Sequence, residues 1–206
     1  MKKYHLTNNK INVNGRKLYQ IMADKDFGDV KKGELGGFVE SEKNLSQEGN
    51  CWIYDNAMVF NNARVYESVS VYGNALISDN ARVYGNARVL GNSIIFDNAR
   101  VYENAMISGN ARVLGNSIIF DNARVYGNAM VFENARVYGN AMVYGNAMVF
   151  ENAKVYGNAR VADNARVYGN AMVFDNVKLY GDAVIFGKIE IGGNTEIHDI
   201  RLLDEF

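Results

Sequence analysis

The 206-residue sequence has no proline, one cysteine, two histidines and one tryptophan. The single cysteine, Cys51, excludes an internal disulfide framework and fits a reducing compartment. His5 and His198 lie at opposite ends of the chain, and two histidines cannot furnish a three-histidine zinc site. No metal or other cofactor is therefore expected. No apolar run approaches the ~18 residues that span a bilayer, so no membrane partner is expected. The start, Met1 to Leu6, lacks the apolar stretch of a secretory signal, and a cytoplasmic protein is expected. Neither sign of charge prevails: 22 Lys and Arg stand against 23 Asp and Glu. Bulk electrostatics thus give no reason to expect nucleic acid as the partner. With 48% apolar residues and 22% charged residues the chain has globular composition rather than that of a disordered one.

What the sequence does have is a repeat. From Ile53 to Leu203 an aliphatic residue recurs every six positions without a miss. Four residues after most of these comes a small residue (Ala57, Ala63, Ala75), and the position before it is nearly always Asn. The unit reads Val-[Tyr/Phe]-[Gly/Asp/Glu]-Asn-Ala-[Arg/Met]. A period of six fits neither the α-helix nor the coiled coil. It fits a four-residue strand with a two-residue corner, in which Ala and Val point inward while Arg/Met and Tyr/Phe point outward. Gly and Asn suit a corner because they tolerate positive φ. Three corners close a triangular coil of about 18 residues, and stacking at about 4.8 Å gives a rod on the order of 40 Å long with eight to nine coils. An antiparallel meander would not require like residues at every corner. Parallel, in-register stacking does.

The pattern Val-Tyr-Gly-Asn-Ala-Arg resembles the hexapeptide repeat of left-handed parallel β-helices over residues 51–200. The left-handed coiling is implied by that resemblance alone. The segments Asp26–Val30, Gly33–Phe38 and Asn44–Trp52 are similar to the N-terminal region of YdcK-like proteins, bacterial and prophage hexapeptide proteins commonly labelled acyltransferases. The expected fold is all-β: a three-sided left-handed parallel β-helix of about eight coils with a small N-terminal hairpin cap. Residues 1–50 would form the cap, 51–200 the solenoid and 201–206 a tail that folds over the last coil or meets a partner chain. Asn14-Gly15 is the hairpin signal, and the cap would cover strand edges at the solenoid's open end.

Folding the repeat at 18 residues sorts the outward side chains onto three walls. One carries Met58, Phe60, Ile94, Phe96, Met130, Phe132, Met148, Phe150 and Phe186. So broad an apolar surface is expected to be covered, in a homo-oligomer (dimer or trimer) or by a protein partner. The second carries Arg64/Tyr66, Arg82/Tyr84, Arg100/Tyr102, Arg136/Tyr138 and Lys154/Tyr156, a basic-aromatic row suited to an anionic or ring-bearing polymer. The competing reading is self-neutralisation. Where the corner residue is acidic, seven of ten positions three residues on are basic; where it is Gly, between Gly73 and Gly181, three of eleven are. That correlation favours surface ion pairs such as Asp79–Arg82 and Asp97–Arg100. Residues 87–102 recur identically as 111–126. Their offset of 24 moves the copy one wall round, which favours a scaffold over a finely placed site.

Hexapeptide acyltransferases use histidine as a general base. The resemblance therefore implies His198 as the catalytic residue, and acyl-CoA as the donor at a subunit interface, if the chain is a transferase. No loop interrupts the repeat between Ile53 and Ile185 to build a cleft, and Cys51 falls in the small inward column, where a buried structural thiol is expected. The sequence leads to a non-catalytic scaffold or macromolecular-interaction protein, with the acyltransferase as the alternative. A third reading, a phage-encoded protein that sequesters a host component, follows from the prophage resemblance.

Overall fold

A two-residue strand has no stability of its own, so such strands must be stacked. The computed structural model describes residues 2–204. It stacks short strands, Trp52–Ile53, Met58–Val59, Arg64–Val65 and onward, one per hexapeptide. Residue i pairs in parallel with residue i+18: Arg64 with Arg82, Met130 with Met148, Met142 with Arg160. Main-chain bonds flank each pair, such as Arg64 N to Ala81 O at 3.0 Å and Tyr66 N to Val83 O at 3.2 Å. The result is three parallel sheets facing one bore, a β-solenoid of about nine turns. No helix occurs among the described residues.

The bore is the core. Every aliphatic of the six-residue series from Ile53 to Ile197 is buried, as are the alanines between them. Each buried Val or Ile removes apolar surface worth roughly 1.5–3 kcal/mol. Two serines, Ser93 and Ser117, replace Ala in the inward column. Ser93 donates to Leu90 O at 2.5 Å, whereas Ser117 Oγ has no partner.

The Asn column forms amide ladders, each Nδ2 donating to the Oδ1 one coil on. Asn98 reaches Asn116 at 3.0 Å and Asn116 reaches Asn134 at 3.2 Å. The left-handed backbone does not fall on these asparagines. It falls on the residue before, at Gly, Asn61 or an acid, with φ of 61° at Asp97 and 58° at Glu103. The corner therefore turns on its first residue, which leaves the Asn amide free to align along the stack.

The head of the spool is closed. Strands β1 (Tyr4–Val13) and β2 (Arg16–Ala23) form the hairpin, with φ of 49° at Asn14 and 81° at Gly15. Strand β3 (Leu35–Val39) pairs antiparallel with β2 and parallel with Met58–Val59, converting cap into coil. Gly36 and Gly37 permit this. A Cβ there would lie 2.6 Å from Ile53 O and 2.4 Å from Ala57 O. Tyr4 and Phe27 pack edge-on against Trp52, with ring centroids 6.0 and 5.4 Å away. The Lys3 amine lies inside this plug and donates to Cys51 O at 3.0 Å, Glu48 O at 3.2 Å and Cys51 Sγ at 3.3 Å. Burial lowers the Lys3 pKa and raises that of the Cys51 thiol.

The stack runs past the 51–200 stretch at both ends. It begins with β3, and Arg201–Leu203 forms a further rung that pairs with Val184–Phe186 at an offset of 17. The last coil is thus one residue short. Leu202, and not Leu203, takes the place beside Ile185, and Leu203 is 50% exposed. A one-residue slip exchanges inward and outward side chains, so the six-residue series fails at its final member. Glu205 and Phe206 of the expected tail lie outside the described residues.

Candidate interaction surfaces

The apolar wall follows from Met58, Leu76, Ile94, Arg112, Met130, Met148, Arg166 and Val184 pairing in register on successive rungs. The cap covers its first part: Phe60 is buried with Leu18 and Phe38, and Met58 packs against that cluster. Beyond the cap, Ile94, Phe96, Met130, Phe132, Met148, Phe150 and Phe186 are half-buried by their own neighbours. Phe132–Phe150, Phe150–Tyr168 and Tyr168–Phe186 stack at 4.8, 4.6 and 4.6 Å.

On the second wall Tyr66, Tyr84, Tyr102, Phe120, Tyr138, Tyr156 and Phe174 form an unbroken column of seven rings. Adjacent centroids are 4.8–5.1 Å apart and the planes lie within 8° of parallel. Beside them Arg64, Arg82 and Arg100 occupy three consecutive rungs, all exposed, followed after Ile118 by Arg136 and Lys154. Burial raises the pKa of Tyr66, Tyr84, Tyr102, Tyr138 and Tyr156 above the ordinary phenol value. At the cap end of this wall a concavity of about 370 Å³ is lined by Lys43, Ser46, Gln47, Arg64, Tyr66 and Arg82, among others.

The ion pairs read from the sequence do not form. Among the described residues, the side-chain pairs within 4.0 Å are Lys2–Glu42, His5–Asp24, Arg16–Glu40, Lys31–Asp26 and Lys178–Glu196. None joins a corner acid to the base three residues on. The acids instead reach along the stack. Asp55, Glu67, Asp97, Asp121, Asp163 and Asp175 each accept the main-chain N–H of the glycine 18 residues later, at 2.7–3.1 Å. Of the acids lying directly below a glycine corner, Glu151 is the exception. A corner glycine has no side chain to satisfy its own N–H, and the carboxylate one rung below does so. Among the described residues the arginines of the repeat are left without a carboxylate within 4.0 Å. Where acid stands over acid the situation is different: the Asp121 carboxyl one rung on raises the Glu103 pKa.

The two histidines are placed at opposite ends of the stack. His198 is exposed on the penultimate rung and stacked on Tyr180 at 4.8 Å, with Glu196 of the same strand held by Lys178. His5 Nδ1 lies 2.7 Å from Asp24 Oδ1, a pair that the sequence reading did not identify. The hairpin register, which places His5 opposite Met22, was the available signal. Among the described residues no three His, Cys, Asp or Glu side chains cluster as a metal site would require. Among the described residues no helix is long and apolar enough to cross a membrane.

The family comparison agrees with this architecture. The YdcK β-solenoid repeat family matches at residues 53–67, 81–95, 105–121, 123–136, 135–151 and 165–179. A 47-residue segment is 55% identical to a protein of Escherichia coli K12 named "Uncharacterized acetyltransferase YdcK"; it covers 22% of this chain and 14% of that relative's length. A Bacillus cereus protein, the product of the BC4754 gene, solved by X-ray crystallography under a provisional acetyltransferase label, aligns over 66% of this chain and 70% of its own at 11% identity and a TM-score of 0.32. The chain is thus a β-solenoid whose repeats over those segments are similar to the YdcK β-solenoid repeat.

Proposed function

We propose that this solenoid is a non-catalytic scaffold that self-associates through its apolar wall and presents its other walls to a macromolecular partner. One observation carries the reading. The cap already buries the first part of the apolar wall, at Met58 and Phe60, while the same strip continues uncovered from Ile94 to Phe186. A surface of that kind is stabilised by a second apolar surface. The absence of interrupting loops along the stack favours a rod over a cleft-bearing enzyme. Sedimentation at high protein concentration tests the association. A dimer or trimer is expected, and Met148→Lys with Phe150→Lys should return it to monomer; a wild-type monomer would reject the reading.

The name of the Escherichia coli relative favours a second reading, acyl transfer from an acyl-CoA donor at a subunit interface. In that case His198, exposed on the penultimate rung, is the candidate base. Acetyl-CoA should raise the melting temperature, and His198→Ala should abolish turnover; a scaffold shows neither effect. A prophage-type accessory role in sequestering a host component would be read from the same sedimentation runs as a hetero-complex with lysate protein.

A further inference from the structure

On the second wall, cation and hydroxyl travel together. Five rungs carry a base with a tyrosine two residues on: Arg64/Tyr66, Arg82/Tyr84, Arg100/Tyr102, Arg136/Tyr138 and Lys154/Tyr156. Of the three rungs without a base, Ile118 and Met172 carry phenylalanine, at Phe120 and Phe174, and the terminal rung carries Glu190 with Gly192 and no ring. All seven rings stack equally well, so packing does not require the hydroxyl. Residues two apart on a strand point to the same side, so each such rung offers one cation and one hydroxyl side by side. Arg64, Arg82 and Arg100 stand in direct register, an arrangement of like charges that is destabilising unless something neutralises it. Among the described residues none of the acids that precede these bases pairs with them: Asp97 is turned to the main-chain N–H of Gly115, and Asp79 accepts from Asn61 Nδ2.

We infer that this wall binds a linear acidic polysaccharide bearing carboxylates, with successive acidic groups taken by successive Arg–Tyr rungs from the concavity at Arg64 onward. Three features select this chemistry. The ring faces are closed against one another, so bases of a single-stranded nucleic acid have no free face on which to stack along the column. Main-chain groups of the rungs are bonded to the rungs above and below, so a peptide cannot add as a strand along the wall. What remains exposed is a row of charged and hydroxyl donors at a fixed repeat, suited to carboxylates and sugar hydroxyls. The inference rests on the presenting-surface part of the scaffold reading and is independent of self-association.

Titration calorimetry of the full chain with polygalacturonate at low salt tests it. Wild type should bind, and more weakly as salt is added. Arg82→Gln with Arg100→Gln should weaken binding by about tenfold or more, and Tyr84→Phe with Tyr102→Phe by about threefold. Arg124→Gln with Arg160→Gln, on the third wall, should leave it unchanged. Melting temperatures of each variant establish that the stack is intact. Wild-type affinity in the Arg82/Arg100 variant, no binding by wild type, equal binding of neutral dextran, or preference for a single-stranded oligonucleotide or polyglutamate would each overturn it. Sedimentation of the same samples reads self-association separately, so either idea can fail alone.

Discussion

Asp97 Oδ2 accepts the main-chain N–H of Gly115, one coil further along, at 2.9 Å. The acid thus serves a residue 18 positions away and not the arginine three positions on. Its backbone is at φ 61°, a conformation that L-residues other than Asn and Asp adopt reluctantly.

Asp97→Ala should therefore lose both an acceptor and a tolerated left-handed residue, at a cost of about 1–2 kcal/mol. Asp97→Gly removes the acceptor but relieves the backbone, and should cost less. Urea denaturation of both variants checks the order; an Ala variant more stable than the Gly variant would contradict it.

The Glu103–Asp121 contact predicts a pH dependence. The Glu103 pKa lies above its ordinary 4.5, so the folded state holds that proton more tightly than the unfolded one. The stabilisation is complete below the ordinary value and is lost as pH rises through the folded value. At pH 7 two carboxylates then face each other. Glu103→Gln should raise the melting temperature at pH 7 and leave it nearly unchanged at pH 4.

Ile119 is fully buried in the bore and pairs with Val101 and Val137. Ile119→Ala should cost about 3 kcal/mol by leaving a cavity between rigid rungs. Because each coil contacts only its neighbours, hydrogen exchange should quicken most in the adjacent coils.

Lys3 supplies a buried donor to carbonyls at the head of the stack. Lys3→Met keeps the volume but orphans the Cys51 and Glu48 carbonyls, and should cost about 2 kcal/mol. The loss should register first in exchange protection of residues 45–53, before the central coils respond.

The coil was legible in the sequence because its determinants are local. A six-residue period with Val and Ala in fixed columns admits one inward side, and three corners close the circuit. Asn14-Gly15 gave the hairpin for the same reason. The role of the corner acids was not legible, because position i+3 and position i+18 are both neighbours once the chain is wound. Sequence proximity made Arg100 look like the partner of Asp97, whereas the geometry prefers the unpaired N–H of Gly115. The final coil misled for another reason. The last corner is one residue short, so Leu202, five residues after Ile197, turns inward; the adjacent Leu203 keeps the six-residue series unbroken in the sequence yet points outward. The basic-aromatic wall was visible as a composition, but its freedom from carboxylate partners could not be read until the acids had been placed. His5 and Asp24 meet through the hairpin, whose register shifts between Leu6 and Lys10 and so is not fixed by the turn signal alone.

The 18-residue circuit also sets a rule for how such a rod can change its length. Adding or deleting one hexapeptide preserves the core but shifts all later surface residues by a third of a revolution, scrambling whatever those surfaces recognise. Adding three hexapeptides lengthens the rod by about 4.8 Å and restores every longitude. Length variants that keep a functional stripe should therefore differ in multiples of eighteen, while those that need only a rigid strut can differ by six.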